Sequence, residues 1–244
     1  MSESVTAVGG PIACFALLLI PFLAVLGLTV LAVMRNRDQW PDISKAFASR
    51  HRLAYRPGPD PELHGKLPDF ALFGPGTNGL SRNIIIGRLA IGARTLDVII
   101  GDYACRTGSE GVRKDLAISY IAVRLPWNGM PRIMIRPERF VERPVPVPGI
   151  EEIDIGPPDF SRRFEITASD GRFARELLDE GMVRFLLASD PPDLIELNDG
   201  VACIGGTWAE SGDGAIESRL AWIGEFLDRW PGHLVRSLED AAQP

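Results

Sequence analysis

The sequence predicts an α+β fold, a predominantly antiparallel sheet with amphipathic helices packed on one face, preceded by one N-terminal transmembrane helix. Three observations predict it. Ile12 to Met34 contains no charged residue. From Asn83 to Thr167, runs of β-branched and aromatic residues succeed one another without a helical period. Only then come two segments with apolar residues every three or four positions, flanking a hairpin signal. Strands grouped ahead of a helix–hairpin–helix order match α+β architecture rather than βαβ alternation. An antiparallel sheet of this kind leaves one face for the helices.

The chain divides into a short extracytoplasmic tail (1–11), the expected transmembrane helix (12–34), a juxtamembrane helix with a Pro/Gly-rich connector (35–82), and a soluble α+β domain (83–244). Ile12 to Met34 as a helix spans about 34 Å, enough to cross a hydrocarbon core of about 30 Å. Pro21 interrupts its backbone ladder, which membrane helices tolerate. A cleaved signal peptide would need a basic leader, a shorter apolar core and a small-x-small site; MSESVTAVGG has no lysine or arginine. Basic residues follow the span at Arg35, Arg37, Lys45, Arg50 and Arg52 and none precedes it, so the N-terminus is expected outside and the domain in the cytoplasm, at the inner membrane. Trp40 has two readings, an indole at headgroup level or a residue packed under the first soluble helix.

Pro41-Asp42 predicts a helix start, with Ile43, Ala46 and Phe47 on one face through about Arg50. RPGPDPELHGKLPDF reads as loop. Asn83–Leu89 and Arg94–Tyr103 predict a hairpin, with Leu96, Val98 and Ile100 on one face. Ala117–Leu125 predicts a central strand; Arg132–Ile135, Ile150–Ile155 and Arg163–Thr167 predict shorter ones. Ser169 then caps a helix carrying Phe173, Leu177, Leu178, Met182, Phe185 and Leu186, ending near Ser189. Asn198-Asp199-Gly200 joins two strands, because Asp-Gly tolerates positive φ. Ile216, Leu220, Ile223, Leu227 and Trp230 form one stripe that Pro231 stops, and the tail forms a short last helix.

Composition narrows the function classes. With 26 basic against 32 acidic residues the chain has a formal charge of −6, not the basic footprint of a nucleic-acid binder, and Arg162-Arg163 is flanked by Asp159 and Glu165. Cys14, Cys105 and Cys203 are isolated, so neither a disulfide framework nor a zinc site is expected, and buried thiols are. Gly74-Pro75-Gly76-Thr77-Asn78-Gly79 matches G-x-G-x-x-G, with Asp97 about twenty residues on, but a proline sits inside it and β-rich sequence follows where a helix must open. Gly79-Leu80-Ser81-Arg82-Asn83 lacks the last glycine of a nucleophile elbow. His51, His64 and His233 are scattered, and Glu138, Glu142, Glu151, Glu152, Asp154 and Asp159 lie along proline-rich loops without calcium-loop spacing. No catalytic, cofactor-binding or metal-binding residue and no cofactor is therefore assigned.

Ile135-Arg136-Pro137-Glu138, Asp159 to Ile166 (DFSRRFEI) and Gly101-Asp102-Tyr103, with a tryptophan soon after the span, resemble a family of bacterial single-pass membrane proteins with a C-terminal soluble domain of unknown function. The resemblance implies the same layout and no activity. Arg136 beside Glu138 suits a fixed strand end with a local ion pair, and Phe160 and Phe164 suit core anchors. The expectation is a membrane-anchored cytoplasmic interaction or scaffolding domain, its partners the bilayer through Ile12 to Met34 and an unidentified protein. The alternatives are an enzyme of unrecognised type, or a small-ligand or lipid-headgroup sensor at the membrane surface.

Overall fold

The computed structural model describes residues 23, 39–74, 77–107, 114–137, 149–208, 212 and 214–241. The expected tail and all of the expected span except Leu23 lie outside them, and among the described residues no helix is long and apolar enough to cross a membrane.

The fold is α+β. One antiparallel sheet contains β1 (Ala54–Arg56), β2 (Thr77–Ile91), β3 (Arg94–Thr107), β4 (Lys114–Arg124), β5 (Ile133–Pro137), β6 (Glu151–Glu152), β7 (Phe164–Ala168), β8 (Leu194–Asn198) and β9 (Val201–Gly206). Their spatial order is β1-β2-β3-β4-β9-β8-β5-β7-β6. The helices are α1 (residues 39–51), α2 (Pro158–Ser161), α3 (Gly171–Leu177), α4 (Glu180–Ala188), α5 (Ala215–Asp228) and α6 (Gly232–Ala241).

Period-two alternation sorts β3 between two cores. Leu96, Val98 and Ile100 join the larger core with Phe47 of α1, Leu177 of α3, Met182 and Leu186 of α4, and Ile216, Ile223 and Leu227 of α5. Ile99, Tyr103 and Cys105 face the other way, against Leu63, Phe70 and Leu72 of the connector. The helices thus cover one face as expected, while the loop-like connector seals the other. Cys105 and Cys203 are buried free thiols; burial raises the Cys203 thiol well above its ordinary value.

Several elements depart from the sequence expectation. α1 already includes Gln39 and Trp40, ahead of Pro41, because Trp40 is held in the larger core. The helix expected from Ser169 to Ser189 is two helices. Asp170 caps α3, accepting from the Arg172 and Phe173 amides, and Asp179 caps α4, accepting from the Met182 amide. Between them Leu178 leaves helical geometry at φ −90° and ψ 52°, so both it and Leu177 reach the core. Ser169 instead accepts from the Arg132 amide at 3.0 Å. Ile150–Ile155 supplies only the two-residue β6. Arg136 pairs with Glu165, its register partner across β5 and β7; Glu138 lies outside the described residues. Phe160 and Phe164 are buried with ring centroids 5.0 Å apart. Asp199 at φ 43° and Gly200 at φ 73° make the expected turn.

Candidate functional site

The site is built where Trp40 of α1 meets strands β2, β3 and β4. Arg82 on β2, Asp102 on β3 and Ser119 on β4 are register partners in one row, and Gly206 of β9 follows Ser119. Asp102 lies two positions beyond Ile100, so it points to the helix-covered face, to which Leu96, Val98 and Ile100 of the same strand contribute apolar side chains. A carboxylate there needs donors. Trp40 Nε1 and Ser119 Oγ each donate to Asp102 Oδ1 at 2.8 Å, and Asn83 Nδ2 donates to Oδ2 at 2.8 Å. Asn83 reaches it because the β2–β3 register slips between Arg82 and Ile85, and Asn83 takes φ 51°, a left-handed conformation that asparagine tolerates. The Tyr55 hydroxyl lies 3.1 Å from Asn83 Oδ1 and 3.2 Å from the Pro41 carbonyl, tying β1 to α1. Burial raises the Tyr55 hydroxyl, and the Asp102 and Asp42 carboxylates add to the shift.

Beside this network is a cleft of about 210 Å³ whose walls include Trp40, Arg82, Asn83, Ala104, Ser119 and Thr207. On the other side of Thr207 is a polar cavity of about 200 Å³, bounded by Asp190, Asp193, Trp208 and Arg219. Arg219 holds its rim, donating to the Asp190 carbonyl at 2.6 Å and carboxylate at 2.9 Å. An apolar groove of about 650 Å³ lies between Pro157 and α4, lined by Leu178, Val183, Leu187 and Ala188, with the Glu180–Arg184 ion pair at its rim.

A second buried carboxylate, Glu196 on β8, has a structural use. Its Oε2 accepts from the Ala71 amide at 2.8 Å and its Oε1 from Arg132 Nε at 2.7 Å, which clamps the 71–73 turn to the sheet. Burial pushes its carboxyl up to about 7, against the opposing pull of Arg132 and the Ala71 and Leu72 amides. It lines none of the three cavities.

The residues weighed from sequence are not brought together. His51 stacks on Phe47 with centroids 4.4 Å apart, and His233 lies 3.8 Å from Glu176. His64 falls in the Leu63–Lys66 turn. Ser81 is buried, and its Oγ accepts from the Tyr120 hydroxyl at 3.0 Å. Gly74 follows the 71–73 turn and Gly79 lies in β2, so no helix opens within the glycine-rich run; Pro75 and Gly76 lie outside the described residues. Gly79 answers to packing, since a Cβ there would stand 2.0 Å from the Tyr103 hydroxyl oxygen. Asp97 pairs with Arg88 at the surface. Glu151 and Glu152 are exposed on the edge strand, Asp154 accepts from Ser161, and Asp159 pairs with Arg162. Glu142, like Glu138, lies outside the described residues, and among the described residues no three His, Cys, Asp or Glu side chains could share a metal ion. Sequence reasoning noted Asp102 only as a strand end. Its parity with Ile100 and Val98 was the signal that could have marked it as a carboxylate aimed into the core.

No protein-family model and no curated protein matches the chain. Among solved structures, the crystal structure of the mycobacterial trehalose monomycolate transport factor A, TtfA, is similar at a TM-score of 0.55 and 16% identity, covering 79% of this chain and 97% of that one. At that identity the likeness shows a shared fold.

Proposed function

We propose that this chain is a membrane-anchored accessory module, a scaffold that holds a partner at the inner face of the membrane in a process that handles lipids. The observation that carries this reading is the fastening of α1. The helix begins no later than Gln39, five positions beyond the last residue of the expected span, and is bound into the domain at both ends. Trp40 is bonded to Asp102, Phe47 is in the larger core, and Arg50 pairs with Glu217 of α5 at 2.6 Å. A domain on a loose linker would sample many orientations, whereas one fixed through a buried helix presents the same face to the bilayer. The fold shared with a transport factor for a glycolipid supports the lipid-related part of the reading. The family resemblance in the sequence supports the single-pass layout.

The experiment is fractionation with a topology reporter. The full-length chain should stay in the membrane pellet through a carbonate wash, and a C-terminal phosphatase that works only outside the cytoplasm should be silent. Release by carbonate, or an active phosphatase, rejects the anchor and the orientation respectively. Cross-linking from the exposed face of the domain in intact membranes should then capture one reproducible membrane-protein partner, and capture of the bait alone rejects the scaffold.

A further inference from the structure

We propose that the cleft between α1 and strands β2–β4 is a binding site for a neutral, hydroxyl-rich lipid headgroup, of the glycosyl or polyol class. The proposal rests on the membrane-anchored reading above and adds a ligand to it. Position is the first argument. The cleft opens beside Trp40 and Pro41, in the first described turn of the helix that follows the expected span, so a ligand presented by the bilayer would meet it first.

Size is the second argument. About 210 Å³ is below the roughly 300–1,000 Å³ usual for drug-sized ligands. A headgroup of one ring or one short polyol fits that space; a whole lipid does not.

Charge is the third. Arg82 and Asp102 are the charged residues among its described walls, one of each sign. The described walls thus carry no excess of positive charge to favour a bare phosphate and none of negative charge to favour an ammonium group.

The fourth argument is the direction of the hydrogen bonds. Asp102 accepts from Ser119 and Asn83, which fixes the direction of the bonds these two wall residues make. Ser119 Oγ spends its proton on Asp102 and keeps its lone pairs. Asn83 spends one of its two amide protons on Asp102 and keeps the other. Arg82 and Thr207 are exposed at the mouth and add further donors and an acceptor. Fixed donors and acceptors side by side suit a ligand whose groups both donate and accept, which is the chemistry of hydroxyls. The small Ala104 and Ala117 give the wall beside the Trp40 side chain an apolar part on which the C–H face of a sugar ring can rest.

The test uses the full-length chain in nanodiscs, with the indole N–H resonance of Trp40 as the reporter, assigned by its loss in Trp40→Phe. Four samples are compared: phosphatidylcholine alone, with galactosyl diacylglycerol, with phosphatidylglycerol, and with free methyl galactoside. A saturable shift with the galactolipid, absent with phosphatidylcholine alone, supports the site. A shift with the free galactoside as well shows that the headgroup suffices, and a shift with the galactolipid alone shows that the bilayer must present it. The Ser119→Ala/Thr207→Val double variant should weaken the response about tenfold, as expected for losing two ligand hydrogen bonds; because Ser119 also donates to Asp102 its thermal midpoint should fall, so Thr207→Val alone, which leaves that bond intact, should weaken the response at an unchanged midpoint.

Three results overturn the proposal: equal spectra with galactolipid and phosphatidylcholine, a larger response to phosphatidylglycerol than to galactolipid, or a double variant that binds like the parent. A chain that resists carbonate extraction yet gives any of these loses the headgroup site alone, and a chain released by carbonate loses the anchored reading on which it rests.

Discussion

At the scale of single residues, the two carboxylates on apolar strands do different work because their surroundings differ. Asp102 accepts from Trp40 of α1, Asn83 and Ser119 and lies at a cleft. Glu196 is completely buried and served by a guanidinium and backbone amides. Burial raises its folded-state pKa from 4.5 to about 7, so between those values the folded chain binds a proton that the unfolded chain releases. The protonated state's stabilising contribution is therefore fully present below pH 4.5 and is lost as pH rises through about 7. The full shift corresponds to about 3 kcal/mol. Denaturant titrations at several pH values should show stability falling over this window, and Glu196→Gln should flatten that part of the profile. A profile identical in the parent and the variant would show that Glu196 does not set it.

At the scale of elements, the turn between β8 and β9 depends on a glycine for two reasons at once. Gly200 sits at φ 73°, and a Cβ there would come within 2.1 Å of the Trp127 carbonyl oxygen. Its own carbonyl accepts from the Leu125 amide at 2.7 Å, so the turn cannot simply move away. Gly200→Ala should cost about 3 kcal/mol, combining left-handed strain with the displaced contact. Equilibrium unfolding measures it, and a loss below about 1 kcal/mol would show that the 125–130 loop yields easily. The asparagine and aspartate of this turn were legible because turn chemistry is local. The break between α3 and α4 was not. Its apolar period runs on through Leu177 and Leu178, and only the Asp179 side chain on the Met182 amide, with both leucines reaching the core, decides for two short helices.

At the scale of the whole molecule, α1 is packed into the domain as one of its core helices. Trp40 and Phe47 are 4% and 2% exposed, and both belong to the core that the sheet shares with α3, α4 and α5. The Trp40→Ala/Phe47→Ala variant should detach α1 while the sheet keeps its fold, since β2, β3, β4 and β9 retain their pairing and the connector still covers the other face. Hydrogen exchange on the full-length protein would show fast exchange in residues 42–51 and continued protection in β3 and β4. Unchanged protection of α1 would mean that these two side chains do not hold it.

The amino-acid sequence made the α+β class, most strands, α5 with its stop at Pro231, and the turn at Asp199-Gly200 legible, because each follows from a local period or a local backbone preference. It also carried the membrane expectation, in the uncharged Ile12 to Met34 and the arginines behind it. The packed fold was needed to show that the proline-rich connector seals the second face of the sheet, that Trp40 belongs to the larger core, and that Arg82, Asn83, Asp102 and Ser119 meet. The reason is register. Three successive strands place one residue each in a common row, and a bulge adds a fourth, a coincidence of register that no period along the chain records.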